Sequence, residues 1–183
     1  IISHNYSSIW TSGYEALINL NMQKDAEGNV IDAGNNYLQI EGDVSTATPY
    51  YGSYGTINVG LNTADSYLKG HFYGAGNNNL YLRNGAVWDN MPAVTHNWAG
   101  GSYSTNNIVS NLSNLYGGVD SAHAGNIYQH ESEELRIQNL TGYVNAYLGH
   151  EIGEDGKANF DALGNIVVEK ATQTDGKNAN ITL

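Results

Sequence analysis

The sequence contains no cysteine, and its 183 residues include only two prolines, two phenylalanines and two methionines. Many small secreted domains rely on disulfides, and this chain cannot. The absence fits a reducing compartment, a fold that needs no covalent staples, or a chain that crosses a membrane unfolded and would be hindered by early disulfides. Cysteine usage therefore separates intracellular from exported proteins only weakly.

Basic residues are also scarce. Lysine and arginine together number seven against 18 aspartates and glutamates, which gives a formal net charge of −11. Binding to a phosphate backbone needs clustered Lys and Arg side chains, and Lys69 and Arg83 have no basic neighbour in the sequence. Nucleic acid is therefore excluded as a partner, and so is direct binding to an anionic membrane surface.

Long hydrophobic runs are missing as well. No apolar run approaches the ~20 residues that a membrane-spanning helix needs. The sequence begins at Ile1 with neither a methionine nor the basic stretch that starts a signal peptide. We therefore expect it to be part of a longer chain, with targeting signals and any membrane anchor outside this sequence.

The abundant residues are those of strands and turns. The chain has 22 glycines and 14 tyrosines, and much of its polarity comes from Asn, Ser and Thr. Tyrosine and β-branched residues favour strands, and Gly and Asn favour turns, whereas good helix formers are few. The composition predicts an all-β fold, and the length fits one domain over residues 1–183.

Short apolar pairs recur along the first half at steps of 20 or 21 residues: Ile18 and Leu20, Leu38 and Ile40, Val59 and Leu61, Leu80 and Leu82. The members of each pair are two residues apart and so share one face of a strand. A constant step predicts stacked coils of about 21 residues, a parallel β-solenoid in which Leu38, Val59 and Leu80 are equivalent. Residues 1–90 are predicted to form regular coils, and residues 91–183 coils with insertions.

A β-sandwich is the alternative, because sandwich strands recur every ~8–12 residues and each step could hold two of them.

One segment, "NNIVSNLSNLYGG", also fits a helix. Its apolar residues Ile108, Leu112, Leu115 and Tyr116 have helical spacing, and Gly117 could cap the end. The intervening Asn and Ser residues compete with helical hydrogen bonds. The segment is predicted as irregular strand and turn, with a short helix as the alternative.

Two stretches resemble the passenger region of pertactin-like bacterial autotransporters. The first matches a pattern of Asp-Ser-x-aliphatic-x-Gly followed by Leu-x-Leu-x-Asn-Gly-Ala-x-Trp, at Asp65, Ser66, Leu68, Gly70, Leu80, Leu82, Asn84, Gly85, Ala86 and Trp88. The second is "AGNIYQHESEELRIQNLTGYVNAYLGHE". The resemblance implies a right-handed parallel β-helix at the bacterial cell surface or outer membrane, or secreted. Any membrane contact would go through a barrel domain outside this sequence, and the resemblance implies no particular ligand.

Motifs for catalysis and metal binding are weak. Ser121 lies between Asp120 and His123 but lacks the Gly-Asp-Ser-Gly pattern of secreted serine proteases, so a solvated loop is predicted. No Gly-x-Ser-x-Gly elbow occurs. The candidate metal ligands His123, His130, His150 and Glu151 lack zinc spacing. We predict no metal, no organic cofactor and no enzymatic activity.

A cluster of carboxylates keeps an enzymatic alternative open. Glu131, Glu133 and Glu134 lie beside Arg136, and polysaccharide lyases and hydrolases need carboxylates on one face, often with a basic residue. A solvated charged rim is the simpler interpretation. A β-helical carbohydrate-active enzyme is therefore the alternative function.

The main candidate for ligand binding is the glycine-rich loop "TPYYGSYG", which carries Tyr50, Tyr51 and Tyr54. Tyrosine offers a broad, rigid and amphipathic contact surface. The loop could bind sugars or a partner protein, or pack on the chain itself. The leading hypothesis is a structural and adhesive segment, a rigid stalk that presents loops to cells, matrix or glycans. A pure spacer and self-association are the related possibilities.

Overall fold

A computed structural model describes residues 1–2, 8–11, 15–46, 55–90, 95–98, 101–104, 109–130, 134–149, 151–152, 157–159, 164–172 and 179–183. Within these residues the regular structure consists of strands and one 3₁₀ turn at Ser121–His123, without an α-helix. The all-β prediction is confirmed. In the described part of the chain, no helix has the length and apolarity to cross a bilayer.

The strands are, in chain order, β1 (Ile9–Thr11), β2 (Leu17–Leu20), β3 (Met22–Lys24), β4 (Val30–Ala33), β5 (Gln39–Glu41), β6 (Val44–Thr46), β7 (Thr56–Leu61), β8 (Tyr67–Lys69), β9 (Phe72–Tyr73), β10 (Asn77–Leu82), β11 (Val87–Asn90), β12 (Thr95–Trp98), β13 (Gly101–Ser104), β14 (Ser110–Tyr116), β15 (Gly125–Gln129), β16 (Glu134–Thr141), β17 (Tyr143–Leu148), β18 (Glu151–Ile152), β19 (Ala158–Asn159), β20 (Asn165–Thr172) and β21 (Asn180–Thr182).

Two six-stranded sheets and a three-stranded sheet are built entirely from parallel pairs. The first sheet has the order β2-β7-β10-β14-β16-β20, the second β5-β8-β11-β15-β17-β21, and the third β1-β6-β9. The chain alternates between the first and second sheets, and each return adds the next strand in order. Such pairing differs from the antiparallel sheets of a β-sandwich.

The core lies along the inward faces of these sheets. In the first sheet Val59 pairs with Leu80 and Leu61 with Leu82, and all four side chains are fully buried. This part of the stacking prediction is confirmed. The columns continue through later strands, so that each coil covers the apolar side chains of the coil before it.

The predicted constant step of about 21 residues is wrong. In the first sheet, equivalent asparagines are separated by 39 residues from Asn19 to Asn58, by 21 from Asn58 to Asn79, and by 35 from Asn79 to Asn114. The longest step contains the antiparallel hairpin β3–β4, and the step of 35 contains the hairpin β12–β13. Insertions therefore change the coil length without disturbing the register of the sheet.

The predicted equivalence of Leu38 with Val59 and Leu80 is also wrong. Ile40 pairs with Leu68 in the second sheet, and the Leu38 carbonyl accepts a hydrogen bond from the Tyr67 amide. Both sheets bury alternate apolar residues, so the pair at 38 and 40 has the same sequence pattern in either sheet.

The short helix considered for residues 108–117 is wrong, because β14 pairs with β10 and β16 on its two sides. Leu112 and Leu115 are both fully buried although they are three residues apart. The alternation shifts by one residue between them, and β16 shows the same shift between the buried Ile137 and Leu140. Because of this shift, two buried apolar residues of a strand stand three residues apart, which is also the spacing expected in a helix.

Candidate functional site

The predicted tyrosine loop lies outside the described residues. Tyr50, Tyr51 and Tyr54 belong to a part of the chain for which no structure is described. Ligand binding by this loop remains a prediction. The described residues present other exposed surfaces.

The Asp120–Ser121–His123 segment forms a local cap. Asp120 accepts hydrogen bonds from the amides of Ala122 (3.0 Å) and His123 (3.1 Å), and its Oδ1 lies 2.7 Å from His123 Nδ1. The hydrogen bond from the His123 side chain is the main cause that lowers the pKa of Asp120. Ser121 makes no hydrogen bond to either group, so these three residues are not arranged as a catalytic triad.

The other predicted charged candidates are described only in part. On β16 the Arg136 guanidinium lies 2.5 Å from the Glu134 carboxylate at the surface. Glu131, Glu133 and His150 fall outside the described residues. Among the residues that are described, no group of three His, Asp or Glu side chains is placed to hold a metal ion.

The outward face of the first sheet is closed partly by an asparagine ladder, formed by Asn19, Asn58, Asn79 and Asn114. The amide of Asn58 donates to Asn19 (2.7 Å), that of Asn79 to Asn58 (2.8 Å), and that of Asn114 to Asn79 (2.7 Å). Each rung ties one coil to the next, because the amide offers both a donor and an acceptor. These side chains satisfy one another and leave few groups for a ligand.

The hairpin β3–β4 covers another part of the same face. At Gly60 a Cβ atom would lie 2.3 Å from the Asn21 carbonyl oxygen, so only glycine allows this close approach. From the hairpin Asp32 pairs with Arg83 at 2.5 Å, and the guanidinium lies 5.5 Å from the centre of the Tyr81 ring. This part of the first sheet, around β7 and β10, is therefore covered by its own chain.

The second sheet differs. One column of its outward positions in register crosses five strands, and we call it the outer strip: Glu41, Lys69, Asp89, Tyr128 and Tyr147. Four strand spacings of about 4.8 Å make it ~19 Å long. The strip runs along the stack of coils, at right angles to the strands.

One end of the outer strip is charged. The Tyr67 hydroxyl donates to Glu41 Oε1 at 2.8 Å, and this hydrogen bond is the main cause that raises the pKa of Tyr67. The Lys69 ammonium lies 5.1 Å from the centre of the Tyr67 ring. Further along, His130 Nε2 is 2.6 Å from Asp89 Oδ1. Two carboxylates thus flank one lysine, at roughly 10 Å from strand to strand.

The other end is aromatic. The rings of Tyr128 and Tyr147 are stacked, with centres 4.7 Å apart and planes 11° from parallel. They are 43% and 50% exposed. Beside them is a recess of about 160 Å³, lined by Tyr128, Gln129, His130, Tyr147, Leu148 and Gly149. Aromatic rings next to hydrogen-bonding groups are typical of surfaces that bind sugars or proteins.

Sequence analysis missed the outer strip because its members come from strands that are far apart in the chain. A signal was available in "GNIYQ" and "YVNAYLG". In each, a tyrosine follows an inward residue, Ile127 or Ala146, so alternation puts the ring outside. Register between the strands was still needed to bring Tyr128 beside Tyr147.

Comparison of the chain with protein-family models, curated proteins and solved structures finds no match in any of the three. The functional assignment therefore depends on the geometry of the chain itself.

Proposed function

We propose that the chain is a right-handed parallel β-helix from the surface-exposed passenger of a pertactin-like autotransporter. The alternation of the chain between two parallel sheets supports this proposal. Residues of the resemblance also have structural roles in the fold that are consistent with it. Trp88 is fully buried and donates to the Gly70 carbonyl at 2.9 Å, and Asn84 and Gly85 form a turn with positive φ values of 53° and 78°.

Its proposed role is adhesive and structural rather than enzymatic. A stack of coils forms a rigid stalk at the bacterial surface, and the stalk presents its uncovered surfaces to cells, matrix or glycans. The observation that carries the adhesive role is the stacked pair Tyr128 and Tyr147, half-exposed on a sheet whose strands fix their positions. Rigid aromatic side chains bind with little loss of conformational entropy.

An array of glycans and matrix proteins tests the adhesive role. The chain should bind at least one class of array ligand, and Tyr128→Ala combined with Tyr147→Ala should weaken that binding. Tyr37→Ala is the matched control, because Tyr37 is 70% exposed and precedes β5, three strands from Tyr128. Binding that survives the double variant would reject the strip as the adhesive surface. No binding to any ligand would favour a pure spacer.

A carbohydrate-active enzyme is the second candidate, and one observation favours it. Glu41 and Asp89 lie on the same face with Lys69 between them, which is the combination that polysaccharide hydrolysis or elimination requires. Release of reducing ends or unsaturated uronates from a polysaccharide panel, lost in Glu41→Gln and in Asp89→Asn, would establish the activity.

A further inference from the structure

We infer that the outer strip binds a glycan whose sugars carry free amino groups, with the glycan lying along the stack of coils. The inference rests on the proposed adhesive function and names the chemistry of its ligand. Its elements are the stacked tyrosines, the adjoining recess and the carboxylates in the same column.

The aromatic end provides the contact for one sugar ring. The recess beside Tyr128 and Tyr147 has a volume of about 160 Å³, which is the space of roughly five water molecules. It is smaller than the ~300–1,000 Å³ of sites for drug-sized ligands. Its walls combine tyrosine rings and Leu148 with the imidazole of His130. A pyranose has the same combination, with an apolar ring face and a hydroxylated rim.

The charge of the strip selects among glycans. Asp89 lies one strand from Tyr128, and Glu41 lies two strands beyond Asp89, with only Lys69 between the two carboxylates. The Asp89 side chain is 25% exposed, so part of its carboxylate faces solvent beside His130. The whole chain carries −11. Acidic glycans are therefore repelled, and a protonated amine gains both a local partner and long-range attraction.

The orientation follows from the column itself. A polymer that runs along the coils meets one strip residue at each strand, at intervals of about 4.8 Å. A polymer that runs along a strand meets a single strip residue. Affinity should therefore rise from a disaccharide to a hexasaccharide, because the longer chain reaches from the tyrosines to Asp89 and onward to Glu41.

Binding of three β-1,4-linked hexasaccharides with the same backbone geometry tests the inference by calorimetry. They are the glucosamine hexamer, which has free amines, the N-acetylglucosamine hexamer, which has none, and the glucose hexamer. The glucosamine hexamer should bind at least about tenfold more tightly than the other two. That preference should shrink as salt rises, because salt screens the charges.

Asp89→Asn is the decisive variant, because asparagine keeps the oxygen that His130 contacts and removes the charge. It should reduce the preference for the free amine, since Glu41 remains, and leave the weaker binding of the neutral hexamers unchanged. Tyr128→Ala with Tyr147→Ala should weaken all three. Circular dichroism and thermal unfolding midpoints equal to those of the parent show that each variant is folded.

Equal affinity for the three hexamers, no binding of any of them, or an amine preference that is undiminished in Asp89→Asn would overturn the inference. These results leave the adhesive function standing if an array ligand still depends on Tyr128 and Tyr147. An array ligand that binds the double tyrosine variant as tightly as the parent would reject the outer strip as the adhesive surface. It would also reject the proposed ligand of the strip.

Discussion

Replacing Asn79 with alanine removes the central rung of the asparagine ladder. The Asn79 amide donates to Asn58 and accepts from Asn114, so this one side chain links three coils. Asn19, at the end of the ladder on the edge strand β2, accepts one hydrogen bond from Asn58. Asn79→Ala therefore removes two hydrogen bonds, and Asn19→Ala, the matched control, removes one.

The expected cost follows from the number of hydrogen bonds. A net contribution of about 1 kcal/mol for each gives ~2 kcal/mol for Asn79→Ala and ~1 kcal/mol for Asn19→Ala. Asn58 is only 7% exposed, so loss of its partner leaves a polar atom poorly reached by water. Each variant removes one partner of Asn58, so an additional cost of about 1 kcal/mol or more for the unpaired atom applies to both.

Urea unfolding of the full chain, followed by circular dichroism, measures both variants. Stacked coils can unfold in parts, so amide hydrogen exchange in β10 and β14 gives the local effect. The central variant should lose about 1 kcal/mol more free energy of unfolding than the end variant, because it lacks one more hydrogen bond. Equal losses, or losses below ~0.5 kcal/mol in both, would refute a stabilising role for the ladder.

Three further changes test the fold. Gly60→Ala should displace the β3–β4 hairpin, because the new Cβ would lie 2.3 Å from the Asn21 carbonyl oxygen, and limited proteolysis should then cut within the hairpin. Leu115→Ala should lower the free energy of unfolding by about 2–5 kcal/mol, since the side chain is fully buried, and a urea midpoint like the parent's would contradict this. Because the bond from His123 lowers the pKa of Asp120, the carboxylate's stabilising effect is present above its ordinary pKa of 3.8. That effect is lost as pH falls through the lowered value, and a carboxyl titration by NMR, with His123→Ala as the comparison, should show it.

Local patterns were enough to predict part of the fold. Period-two alternation places Val59 and Leu61 on one face, and the same pattern 21 residues later at Leu80 and Leu82 fixes the neighbouring strand. The pairing was predictable because no insertion separates these two strands in the first sheet.

Where a hairpin intervenes, the pattern no longer identifies the sheet. Leu38 and Ile40 have the same alternation as Val59 and Leu61, yet Ile40 stacks on Leu68 in the second sheet. Alternation reports which side of a strand is buried, and it carries no information about the partner strand. The number of residues between equivalent positions therefore becomes known only when the pairing of the strands is known.

Glycine residues are a second reason why the alternation of residues along a strand can mispredict which side chains are buried. Alternation from Lys69 would put His71 on the outer face, but the chain turns at Gly70, whose φ is 151°. His71 is instead buried, and its amide and Nδ1 both contact Asp43 Oδ1, at 2.9 and 3.1 Å. A histidine that alternation places outside is thus part of an internal polar pair, whereas the outer strip includes Asp89, which no local motif marks.

The two outward faces divide the roles of the chain between them. On the first sheet, the ladder and the hairpin cover side chains such as Asn58 and Tyr81, so a substitution there changes the stacking of coils. On the second sheet, Tyr128 and Tyr147 stack on each other and remain about half-exposed while the core beneath them is closed by Ile127 and Ala146. Removing the tyrosine rings leaves those inward contacts in place. Binding and stability are therefore separable in this fold, and a loss of binding without a change in unfolding is the signature expected of the outer strip.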